Sequence, residues 1–243
     1  MGKFTGKRAL VTGAGAGIGR ALAIKLSEMG AEVFALSKTA ANLDSLKAEC
    51  PSLTTVCVDL SDWTAAREAV KKLTPIHLLV NNAAAVILQP FLTATPESFD
   101  VQFNINVKAL MNVSQVVAGD LIAQNQRGSI VNISSQAGQR AILDHTVYCS
   151  TKAAVDMMTK MMALELAPKG VRVNAVSPTV VMTAMGRIGW SDPAKAGPML
   201  ARIPQGRFAE VEDVVRAIVY LLSDESDMVN GHMLPVDGGF LAS

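Results

Sequence analysis

With 243 residues, 50% of them hydrophobic, the chain is long enough to bury a substantial core in one domain. A formal net charge of +1 supplies no basic field and no acidic tail, which excludes nucleic acid as a partner on charge grounds and leaves ligands to be argued from particular residues. Cys50, Cys57 and Cys149 have neither an even count nor metal-ligand spacing, and no apolar run reaches the roughly 18 residues of a spanning helix. The expectation is a reduced, cytoplasmic setting with no metal, no disulfide and no transmembrane segment, peripheral membrane association staying open.

The first strand, Lys7 to Thr12, runs into Gly13-Ala-Gly-Ala-Gly-Ile-Gly19, and a helical pattern from Arg20 to Met29 follows. A strand, a glycine turn and a helix N-terminus together offer close backbone approach and unpaired N–H groups to a diphosphate. Gly13, Gly17 and Gly19 carry that role, with Ile18 where the commoner dinucleotide fingerprint wants a small residue. The second strand, Glu32 to Leu36, ends in Ser37-Lys38-Thr39. An NAD site places a carboxylate near this point to take the ribose 2′-hydroxyl. Two hydroxyls and an ammonium suit a 2′-phosphate instead, so NADP(H) is predicted, against the reading of Lys38 as a solvated loop lysine.

A helix from Ala40 to Glu49 and a strand from Leu53 to Val58 lead to Asp59-Leu60, at a strand's carboxyl end, where ligands bind in open α/β sheets. Asp59, Ser61 and Asp62 compete to cap the next helix. The fourth strand, Ile76 to Val80, ends in Asn81-Asn82-Ala83-Ala84, small residues that let an adenosine lie close, with amides able to brace neighbouring strands. One long helical pattern spans Pro96 to Gln124 and contains Asn106, an unfavourable residue for a helix interior. Asn112 and Asn132 match the glycosylation sequon by chance, inside regular elements.

A strand-like run from Gly128 closes at Ser135, and Tyr148 and Lys152 follow at the one-turn spacing that puts them on one helix face. There an ammonium favours the ionised phenol, bringing a group of ordinary pKa about 10 toward use as an acid and base near neutrality. Met157, Met158, Met161 and Met162 continue this helix as an apolar stripe for a core or a subunit interface. After a sixth strand, Val171 to Val176, and the segment Ser177 to Thr183, the pattern from Ala184 to Gln205 breaks up into an irregular lid or connection in which Trp190 has no stripe to join. A helix from Glu210 to Leu222 and a strand from His232 to Val236 complete the chain.

In register, TGAGAGIG, NNAA, Asn106, Ser135 and Tyr148-x-x-x-Lys152 resemble the short-chain dehydrogenase/reductase family over essentially the whole length. Within it, LQPF, VYCSTK, SPTVVMT and GWSDP look most like the dicarbonyl/L-xylulose reductases. The resemblance implies a single domain, 1–243, with one doubly wound parallel sheet of seven strands and helices on both faces. It implies NADPH-dependent reduction of L-xylulose and α-dicarbonyls, with a general carbonyl or 3-oxoacyl reductase as the enzyme alternative and a non-catalytic NADP(H)-binding protein as the other. Tyr148 would protonate the carbonyl oxygen, Ser135 would hydrogen-bond it, Lys152 would hold the nicotinamide ribose and lower the tyrosine pKa, and Asn106 would place a water in a proton relay. Ser37, Lys38 and Thr39 would take the 2′-phosphate, Asp59, Leu60 and Asn82 the adenosine end, and Val181 and Thr183 the carboxamide. Gln136, Ile142, His145 and Trp190 would line the substrate pocket, His145 alternatively capping its helix. A homotetramer is implied. Ala16 stands where many NADP-dependent members carry a basic residue, leaving the preference to Lys38, and Pro178-Thr179 replaces the common Pro-Gly, a variation shared with the xylulose reductase-like group.

Overall fold

The computed structural model describes residues 2–243, side chains at 185, 189 and 195 excepted. Strands β1 (Arg8–Thr12), β2 (Glu32–Ser37), β3 (Thr54–Cys57), β4 (Leu78–Asn81), β5 (Gly128–Ile133), β6 (Val171–Pro178) and β7 (Met233–Val236) form one sheet in the order β3-β2-β1-β4-β5-β6-β7. Every pairing is parallel. The helices are α1 (Gly17–Glu28), α2 (Ala40–Glu49), α3 (Trp63–Lys71), α4 (Pro96–Phe103), α5 (Ala109–Ala123), α6 (Thr146–Leu166), α7 (Ala184–Gly189), α8 (Pro193–Leu200) and α9 (Val211–Leu222).

The strands read as near-continuous apolar runs because successive side chains point to opposite faces and both faces are covered. Leu10, Leu79, Ile130 and Val173 pair in register across β1, β4, β5 and β6, and pack beneath Val70 of α3, Val113 and Val117 of α5 and Ala163 of α6. One residue on in register, Val11, Val80 and Val131 face Leu22 and Leu26 of α1, and Val214 and Ile218 of α9. Strand order reverses between β1 and β4, so their carboxyl ends open a crevice at the place where open α/β sheets bind ligands. Asn112 and Asn132 are fully buried, which leaves no room for a glycan.

Three expectations change. The helical run from Pro96 is not uniform: α4 and α5 are separated by a π-helical stretch, Asn104–Lys108, centred on Asn106. Residues 184–205 are not irregular, since α7 is capped by the Thr183 hydroxyl (3.0 Å from Gly186 N) and α8 by Asp192 (2.9 Å from Ala194 N). These helices are too short and too interrupted by Gly and Pro to show a period. Trp190 does have a stripe to join: its ring lies 5.4 Å from Phe208 in a satellite core with Ala196, Ile203 and Phe240. In the contest to cap α3, Asp62 wins by accepting from Ala65 N at 2.9 Å, while Asp59 turns its carboxylate onto Ser61.

Candidate active site

The glycine turn lies against β4 with no space between. Gly13 has φ +66°, and a Cβ on it would stand 2.8 Å from Ala83 Cα, so a side chain here is excluded by both strain and contact. Thr12 Oγ1 accepts from the backbone N–H groups of Asn82 (3.0 Å) and Ala83 (3.1 Å), and Asn82 Nδ2 donates to the carbonyls of Thr12 (3.0 Å) and Gly13 (3.2 Å). These bonds join the ends of β1 and β4 and shape one wall of a cavity of about 490 Å³.

Gly13, Gly17, Ser37, Lys38, Thr39, Asp59, Leu60, Asn82 and Thr183 line that cavity. Asp59 Oδ1 accepts from Ser61 N at 2.9 Å and Ser61 Oγ at 2.8 Å, and these bonds, aided by nearby Lys38, hold its carboxyl below the usual range against a small opposing effect of burial. Ala83, Ala84, Ala85 and Ile105 complete the lining. Ala85 leads directly to Asn106, whose Oδ1 accepts from Ala85 N at 2.7 Å and whose Nδ2 donates to Ala85 O at 2.9 Å and to Thr151 Oγ1 at 3.0 Å. The π-helical turn thus ties the cleft to α6 between Tyr148 and Lys152.

At that end Ser135 follows β5 and caps a short turn, Gln136–Gly138, its Oγ accepting from Ala137 N at 3.1 Å. Its hydroxyl proton stays free to donate, and Ser135 lies close enough to the Tyr148 hydroxyl to act on it. Lys152 Nζ is buried, donates to Ile133 O at 2.8 Å and lies 5.6 Å from the centre of the Tyr148 ring. Burial pushes the Lys152 ammonium down to about 8, with Asp156 pulling it back up. Tyr148 is half-buried as a residue, yet its phenol is strongly desolvated and is pushed up to about 12, Ser135 pulling it down and Cys149 adding to the rise. In the protein alone the direction for the phenol is set by loss of water.

His145 Nδ1 stands 2.6 Å from Leu143 O. A carbonyl only accepts, so Nδ1 carries a proton and donates to it. The imidazole therefore makes no capping bond although it begins α6, and it meets the Tyr148 ring edge-on at 6.2 Å. Gln136 is 2% exposed, and its Oε1 has no hydrogen-bond partner among the described residues.

A family model described as enoyl-(acyl carrier protein) reductase matches residues 13–241. The chain belongs to the short-chain dehydrogenase/reductase family. It is 61% identical to an L-xylulose reductase of Mesocricetus auratus over 99% of this chain and 98% of that protein. It is 59% identical to a D-erythrulose reductase of Gallus gallus over the same shares of the two chains. Among solved structures, a putative 2-deoxy-d-gluconate 3-dehydrogenase of Agrobacterium tumefaciens with bound NADP superposes with a TM-score of 0.93 at 33% identity, covering 99% of this chain and 98% of that one.

As a member of this oxidoreductase family the chain brings Ser135, Tyr148 and Lys152 together beside Asn106, and most of the expected cofactor residues around one cleft. Ile18, Gly19 and Val181 lie behind that lining: Ile18 and Val181 pack on the core, and Gly19 is buried in α1. Trp190 is anchored in the satellite core. Ile142 is half-buried in the loop before α6, accepting from His145 N at 3.2 Å. Sequence reasoning passed over Ala85, Ile105 and Thr151, whose parts exist only through the packing of α6 on the π-helical turn.

Proposed function

We propose that this protein is an NADPH-dependent reductase that converts L-xylulose to xylitol and also accepts α-dicarbonyls such as diacetyl. The observation that carries the reading is that Tyr148, with Lys152 Nζ 5.6 Å from its ring and Ser135 acting on its hydroxyl, sits on the helix that Asn106 ties to Ala85 of the glycine-turn cleft. The cleft fits NADP(H): a glycine turn on which a Cβ has no room, and Lys38 between two hydroxyl residues with no carboxylate at 37–39. When bound, NADPH supplies the hydride to the carbonyl carbon.

The chain's own residues do the rest. Ser135 holds the substrate oxygen and Tyr148, which keeps its proton at neutral pH, donates it to that oxygen so that an alcohol results. Lys152, mostly charged below about pH 8, holds the nicotinamide ribose and stabilises the phenolate left on Tyr148. Both Nδ2 protons of Asn106 are used by Ala85 and Thr151, while its Oδ1 accepts only from Ala85 N and keeps a lone pair with which to place a water in a proton relay. The unpartnered Gln136 Oε1 and His145 Nε2 favour a substrate rich in hydroxyls over a long acyl chain, which wants an apolar channel.

We further propose a single catalytic domain over 1–243 that assembles as a homotetramer in the cytoplasm. Met157, Met161 and Leu164 are exposed along α6, and Phe99 and Val101 on α4. No helix among the described residues is long and apolar enough to cross a membrane.

The test is the initial rate of NADPH oxidation with L-xylulose beside diacetyl and an acetoacetyl thioester, repeated with NADH. L-xylulose turning over with NADPH supports the reading, and thioester turnover with an inert sugar supports the acyl alternative. Tyr148→Phe should lose on the order of a hundredfold or more in turnover while NADPH binding persists. Turnover preserved in that variant would sink the assignment.

A further inference from the structure

Tyr148 and Lys152 occupy one face of α6, and the next residue on that face, four beyond Lys152, is Asp156. It is 8% exposed, and carboxylates are almost never buried this far without a partner. Its Oδ1 makes no hydrogen bond to any described residue, and burial pushes the carboxyl up while nearby Ser134, Lys152 and Lys160 oppose that rise.

The surroundings place this group under the reacting residues. Helix α6 approaches the turn Gln136–Gly138 so closely that a Cβ on Gly138 would sit 2.9 Å from Asp156 Oδ2 and 3.0 Å from Lys152 O. The carboxylate is thus wedged between the helix that carries Tyr148 and Lys152 and the turn that carries Ser135 and Gln136. Ser134 Oγ, from the end of β5, donates to Lys152 O at 3.3 Å on the same spot. Lys152 and Lys160, both on α6, are the charges acting on Asp156, while the facing turn and the end of β5 present none, and Asp156 is the charge acting on Lys152.

We propose that Asp156 is a positioning residue of the reaction, a buried counter-charge that holds the Lys152 ammonium in its charged form behind Tyr148 and fastens the Ser135 turn onto α6. The inference rests on the carbonyl-reductase reading above. Burial alone drives Lys152 toward the neutral amine, which can neither hold a ribose through charge nor stabilise a phenolate, and Asp156 opposes this at the position where opposition counts.

Asp156→Asn keeps the shape and removes the charge. In kcat/KM for carbonyl reduction with NADPH, measured from about pH 6 to about pH 9.5, the alkaline fall should move to lower pH by roughly one unit, with near wild-type rates at the acid end. Asp156→Glu should return the limb toward its original place. A uniform loss at every pH with the limb unmoved overturns the proposal and leaves a structural role only. If the Asn variant does not fold, NMR titration of the wild type decides: the Lys152 Cε and Asp156 Cγ resonances should share a titration step, and independent titration overturns the proposal. A wild-type protein that reduces no carbonyl refutes the functional reading alone, since the NMR result stands apart from turnover.

Discussion

Thr12 offers a direct test of how the cleft is held. Its hydroxyl, in a residue 2% exposed, donates to Val80 O at 3.4 Å and accepts from Asn82 N at 3.0 Å and Ala83 N at 3.1 Å. Thr12→Val keeps the shape and removes every one of these bonds. A buried donor left without a partner costs about 1–3 kcal/mol, so two orphaned N–H groups set a range of roughly 2–6 kcal/mol. Asn82 and Ala83 are half-buried, so water recovers part of this, and the expectation lies near ~2 kcal/mol. Urea denaturation of the cofactor-free protein should show a lower midpoint at unchanged slope. Thr12→Ser retains the hydroxyl and should lose only about 1 kcal/mol for the missing methyl. NADPH binding should weaken in the Val variant and not in the Ser variant, because Asn82 and Ala83 line the cavity. A Val variant within about 0.5 kcal/mol of wild type, or a Ser variant worse than Val, refutes the argument that these bonds hold the β1–β4 junction.

Two further outcomes follow from the same geometry. Lys152 titrates at about 8 in the folded chain against an ordinary 10.5, so the folded state releases its proton first, stability rises with pH between those values, and the penalty is full below about 8. That gap corresponds to roughly 3 kcal/mol. Lys152→Met removes it but orphans Ile133 O, at about 1 kcal/mol, and leaves the buried Asp156 without its counter-charge, so any gain in stability at pH 7 should stay well below that roughly 3 kcal/mol while turnover is lost, checked by urea denaturation beside an activity assay. Lys38→Ala should raise the KM for NADPH roughly tenfold and leave that for NADH nearly unchanged, as expected for loss of one charge-assisted phosphate contact; equal effects on both cofactors would return Lys38 to an ordinary loop lysine.

The parts of the site legible in the sequence are those built from local spacing. The strand, glycine turn and helix at 7–29, the residues at 37–39 and the Tyr148–Lys152 pair each need only neighbours within a turn or a strand end; Gly13, Gly17 and residues 37–39 line one cavity, and Lys152 Nζ lies 5.6 Å from the Tyr148 ring. What could not be read depends on contacts across the sheet. Asn106 looked misplaced in a helix because its partners, Ala85 and Thr151, are 21 and 45 residues away. Asp156 gains its place only from the turn at Gly138, which packs over it. Trp190 found its place only through Phe208 and Phe240, brought together by two short helices with no period of their own.

By itself the sequence determined the alternation of strands and helices, the parallel sheet that such alternation demands, the glycine turn and the chemical set of Ser135, Tyr148 and Lys152. Periodicity and spacing are properties of a chain before it folds, and they carry that much. The tertiary structure decided the protonation balance: the same Tyr-x-x-x-Lys spacing that argues for a lowered phenol pKa yields a raised one here, because the enclosing elements remove the water that both charged forms need. Desolvation belongs to the packed molecule, and no stretch of sequence states it.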